Sequence, residues 1–158
     1  TLDIGERPVL LSIGAVVFDD NQIQDYFEYF IDKETAIREG FTVSQSTLDW
    51  WDQQDPDARA YAFNGEGDIK EALKALVKFY ELNECSEIWS KGALADIRWI
   101  NNALDHFGIE HDDTMFVLYK RGEYNAEASR MKAAANELPE NETIIHDESQ
   151  FSEQQRNA

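Results

Sequence analysis

From Val9 to Phe18 the chain (VLLSIGAVVF) is apolar except for Ser12 and rich in β-branched side chains, the pattern of a strand buried on both faces. Asp19 to Gln22 is a polar turn, and Tyr26 to Ile31 (YFEYFI) predicts a second strand, antiparallel to the first. Lys33 to Gly40 makes a short connection, with Gly40 closing a helical turn. Ser46 then opens a helix, with Asp49 three residues on as a capping-box variant. That helix carries Leu48, Trp50 and Trp51 and meets Asp55-Pro56, where proline forces a break or a restart. After the loop at Asn64 to Gly67, Asp68 caps a helix with Glu71 at the third position. Ile69, Leu73, Leu76, Val77 and Tyr80 fall on one of its faces. Glu87 to Ser90 (EIWS) predicts a short strand. Asp96 to Phe107 predicts a helix with Ile97, Ile100, Leu104 and Phe107 inward, stopped by Gly108. Further on, the pattern predicts a strand at Met115 to Tyr119, a helix at Asn125 to Leu138, and a last helix from about His146. Strands first, then alternating helices and strands, predict an α/β fold: a mixed β-sheet flanked by α-helices.

No linker or repeat divides the 158 residues, so a single domain over 1–158 is expected. Charge changes the picture more. Fourteen basic residues against 32 acidic ones give −18 at pH 7, a field that repels phosphate backbones. The plain account is a soluble acidic surface. Sharper accounts are a surface that imitates nucleic acid, or acids gathered around divalent metals. Cys85 stands alone, which excludes an internal disulfide and fits a reducing cytoplasm. No apolar run approaches the ~18 residues of a membrane span. Neither a Cys/His metal cluster nor a Gly-rich phosphate loop is present.

Three segments, in matching order and spacing, resemble one family. Val9 to Asp19 resembles the second strand of DEDD-type (DEDDh) 3′–5′ exonucleases, in a bacterial and phage branch. Ser46 to Arg59 (STLDWWDQQDPDAR) resembles that branch's helix with paired tryptophans, glutamines and a later Ala-Arg. Trp89 to Asp96 (WSKGALAD) resembles its strand-to-helix turn, where a glycine, here Gly92, precedes a metal-binding aspartate by four residues. The resemblance covers Thr1 to about Gly108 well and the remainder poorly. It implies an RNase H-like fold, two divalent cations (Mg²⁺ or Mn²⁺), and hydrolysis at the 3′ end of single-stranded DNA or RNA in the cytoplasm. A homodimer is the usual assembly of such enzymes.

Residue by residue, Asp96 matches the third metal ligand; its alternative is a helix N-cap. His146, preceded by Ile144-Ile145 and followed by Asp147, matches the histidine that helps deprotonate water; its alternative is a helix-start residue. One of Trp50 and Trp51 matches a wall on which a terminal base stacks. Otherwise one is core and the other covers a loop, since helical neighbours stand ~100° apart. Two departures stand out. Phe151 occupies the place of the last aspartate, and the Asp-x-Glu pair that precedes the position of Thr1 is missing. Loss of that first, central strand would leave two sheet edges with unpaired groups at ~1–3 kcal/mol each, so about five or more residues are expected upstream. The departures keep a second reading open, a catalytically inactive relative that binds protein or nucleic acid. Charge alone supports a third, an acidic decoy.

Overall fold

The computed structural model describes residues 1–86, 88–90 and 95–111. Strands β1 (Ser12–Phe18) and β2 (Ile23–Phe30) pair antiparallel, in a register running from Ser12 opposite Phe30 to Val17 opposite Asp25. Asp19 makes the turn: its carboxylate accepts from the Asn21 and Gln22 amides at 2.8 and 3.0 Å. A register shift between Val17 and Phe18 ends the regular ladder just before that turn.

The expected first strand starts three residues later than its apolar run. Val9, Leu10 and Leu11 are buried and precede β1: Val9 bonds to Thr42 and Leu2, while Leu11 carries the pairing with the second strand one residue further, to Ile31. Val9 N donates to Thr42 O at 2.9 Å, and Leu11 O accepts from Ile31 N at 2.9 Å. Parallel bridges at Pro8–Thr42 and Ile31–Gly67 give the pairing its mixed character. Within β1 only Ile13 and Val17 are buried and Ser12 is exposed, so the strand is not covered on both faces among the described residues. Gly65 allows the close approach beside Ile31: a Cβ there would fall onto the Ile31 backbone.

The connection after β2 folds into α1 (Lys33–Ile37), capped by Asp32. Gly40, at φ 83°, turns the chain so that Phe41 N returns to Ala36 O at 3.1 Å. Helix α2 (Gln45–Asp52) begins earlier than expected, because Ser44 and not Ser46 supplies the oxygen that accepts from Thr47 N. Pro56 restarts the chain as α3 (Pro56–Phe63), with the Asp55 carboxylate accepting from the Asp57 and Ala58 amides. Helix α4 (Ile69–Leu82) follows the sequence pattern closely: Asp68 caps Glu71, and every residue of the predicted stripe is buried, joined by Ala72.

Residues Ile88 to Ser90 are not in a strand, which corrects the expectation for EIWS; Glu87 lies outside the described residues. Among the described residues so short an apolar stretch joins no ladder. Helix α5 (Asp96–Phe107) has the predicted bounds and ends at Gly108 in the left-handed conformation. Its buried stripe is Ile97, Trp99, Ala103 and Leu104, with Ile100 and Phe107 packing from the rim. One core joins Leu2, the Val9–Leu11 segment, Ile31, Phe41, α4 and α5. The fold is α/β, as expected. The predicted strand at Met115 to Tyr119, the helix at Asn125 to Leu138 and the helix from His146 lie outside the described residues. No helix among the described residues is long and apolar enough to cross a membrane.

Candidate functional site

Helix α5 holds its start in place by gripping the loop at residues 3–7. Trp99 Nε1 donates to Gly5 O at 2.7 Å, Asn102 Nδ2 to Glu6 O at 2.6 Å, and Arg98 Nη2 to Gly5 O at 3.2 Å. At the other end of α5, Arg7 Nη1 donates to His106 Nδ1 at 2.7 Å. An arginine only donates, so the His106 proton sits on Nε2, directed at Glu39 Oε2 3.1 Å away. The loop is therefore tied along nearly the whole helix.

Asp96 is the first residue of α5. The cap position is Ala95, which makes no side-chain cap bond, so Asp96 is not the N-cap that its sequence position allowed. Its negative charge acts on the buried backbone nitrogen of Thr1, so Asp96 lies beside that residue. The Thr1 carbonyl in turn accepts from Trp51 Nε1 at 3.0 Å. Asp96 and α2 thus meet across Thr1.

The paired tryptophans divide their tasks. Trp51 is half-buried and packs edge-on against Phe63, with ring centroids 5.4 Å apart. Trp50 remains 40% exposed and meets Trp51 edge-on at 5.0 Å. Trp51 is the structural member, and Trp50 keeps an exposed ring surface. Asp3, which sequence reasoning passed over, is also committed to structure. Thr42 leads in holding its carboxyl below the usual range, against slight burial, with help from the Ile4 and Gly5 amides and Ser44. Gly92 and His146 lie outside the described residues.

Among the described residues, no three His, Cys, Asp or Glu side chains converge as a metal would require. By themselves these residues do not fit a divalent cation, and Asp96 is a single carboxylate there.

The whole chain, residues 1–158, matches the family described as Rv2179c-like, the 3′-5′ exoribonuclease Rv2179c-like domain. The chain belongs to the Rv2179c-like family. No curated protein and no solved structure matches it. At the level of the family, an Rv2179c-like domain is a 3′–5′ exonuclease and hence a hydrolase.

Proposed function

We propose that this Rv2179c-like domain is a metal-dependent exoribonuclease of RNase H-like fold, removing nucleotides from the 3′ end of single-stranded RNA in the cytoplasm. RNA is favoured over DNA because the matching family is described by that substrate. The observation that carries the assignment to a site is the meeting of Asp96, Thr1 and Trp51 at the start of α5. In the family that the sequence resembles, the Asp-x-Glu pair stands immediately ahead of the position of Thr1.

Each residue then has a task. Asp96 would be one ligand of a Mg²⁺ or Mn²⁺ ion whose remaining ligands are not among the described residues, and a cation held there would neutralise charge on the phosphodiester. Trp51 positions the chain start through its indole N–H. Trp50 offers the ring on which the 3′-terminal base stacks, a contact worth about 1–3 kcal/mol. His146 is the group that takes a proton from the attacking water. An overall charge of −18 makes local positive charge a requirement of RNA binding, which the cation would meet. Homodimerisation belongs to the same reading.

Labelled oligonucleotides test it. RNA carrying a 5′ label shortens in a ladder, RNA carrying a 3′ label releases labelled mononucleotide at once, and chelator stops both. Single-stranded DNA of the same sequence is degraded more slowly. No turnover with either cation, together with no thermal shift on adding it, would favour instead a binding protein on an exonuclease fold.

A further inference from the structure

The junction between α2 and α3 holds a groove of about 410 Å³ lined by Asp52, Gln54, Pro56, Arg59, Phe63 and Asn64, with Ala60. Its volume lies within the range of small-ligand sites. Pro56, Ala60 and Phe63 supply apolar surface, while Gln54 and Asn64 bring amide donors and acceptors. Arg59 stands over the Phe63 ring at 5.0 Å and pairs with Asp52 through one nitrogen, Nη2, at 3.0 Å. Its side chain is nevertheless 45% exposed, so the guanidinium keeps both donors and planar surface for a ligand.

Position ties this groove to the site above. The Trp51 ring bonds to Thr1 on one side and packs on Phe63 on the other. One indole therefore separates the groove from the place where Asp96 meets the chain start. We infer that the α2–α3 groove is a subsite for the nucleobase of an RNA nucleotide upstream of the terminal pair, with Arg59 as its stacking and hydrogen-bonding partner. This rests on the exoribonuclease reading for the identity of the strand. A base and not a phosphate is the occupant because carboxylates crowd the surroundings: Asp49, Asp52, Asp55 and Asp57 flank Arg59, the one basic residue between Gln45 and Asn64. Asp55 is spent on capping α3, but its charge and those of its neighbours still repel a phosphate. A neutral base has no such penalty, and stacking tolerates any sequence.

Two fluorescein-labelled RNAs, a dinucleotide and a pentanucleotide, distinguish this subsite from the rest of the strand path. Binding is read by anisotropy on the full chain with Ca²⁺ in place of Mg²⁺ or Mn²⁺, and the length of the RNA is checked by gel after each measurement. Arg59→Ala is expected to weaken the pentanucleotide about tenfold and the dinucleotide less than twofold. Asp52→Asn in the same background removes the carboxylate that the first change strands, and the loss should persist. Arg59→Lys should not restore binding, because lysine keeps the charge and loses the plane. Equal weakening of both lengths, no weakening, recovery by Asp52→Asn, or full rescue by lysine each overturns the subsite. The two readings part cleanly: RNA that binds in this length-dependent way but is never shortened removes the exonuclease and leaves the groove. RNA shortened with Arg59→Ala behaving as the parent at both lengths removes the groove alone.

Discussion

Asp96→Asn is expected to lower the rate of 3′-end shortening by at least about 10²-fold while leaving the fold intact. Asparagine matches aspartate in size but carries no charge and is a poor partner for Mg²⁺ or Mn²⁺. The position makes the substitution clean. Ala95 occupies the cap of α5, so no cap bond is lost, and the change in stability should stay within about 1 kcal/mol, from loss of an acid in the first helical turn. Initial rates on 5′-labelled RNA, with thermal melting as the control for folding, decide the matter. A variant that cleaves like the parent would take Asp96 out of the reaction altogether.

Trp99→Ala should cost about 3–5 kcal/mol, a large part of the stability of a domain this size. Trp99 is 6% exposed, sits in the core between α5 and the 3–7 loop, and its indole N–H is the shorter of two bonds to the Gly5 carbonyl. Trp99→Phe separates packing from hydrogen bonding. It keeps most of the buried ring and leaves Gly5 O to Arg98 alone, so about 1 kcal/mol should be lost. Urea midpoints of the three proteins measure both steps. If Trp99→Ala were as stable as the parent, the grip of α5 on the loop would have no energetic weight.

The sequence was most legible where one helix supplied its own signals. Asp68, the stripe from Ile69 to Tyr80, and the glycine stop at Gly108 needed no distant partner to be read correctly. It was least legible where backbone groups pair across the chain. Val9 has the composition of a strand residue, but Thr42 and Leu2 take its hydrogen bonds, and no local pattern carries that information. Ser44 displaced Ser46 at the start of α2 because either serine can cap and only the entry angle of the chain chooses between them. The strand expected at EIWS rested on a few apolar residues with no partner in view.

For the candidate site, motif spacing singled out Asp96 and the two tryptophans, and of these Asp96 and Trp51 lie beside Thr1. Spacing could not assign separate tasks to Trp50 and Trp51, since that depends on which indole reaches the Thr1 carbonyl. Nor did it reveal Arg98, Trp99 and Asn102 as the residues that hold the 3–7 loop. Their periodicity on α5 was visible, but Trp99 was left off the inward stripe. A tryptophan at i and an asparagine at i+3 share a helix face, and that is the one local cue that pointed to a common target.

The grip of α5 also sets an order of events. Gly5, Glu6 and Arg7 find their partners 94, 96 and 99 positions later. At ribosomal speed roughly 5–20 s pass before those partners exist. Throughout that interval Leu2 and the Val9–Leu11 segment have no α5 to shelter them, so an apolar stretch made early must wait in water or in the care of a chaperone. Closure of this long loop is entropically expensive and belongs late in folding, after the local β1–β2 hairpin and α4 have formed.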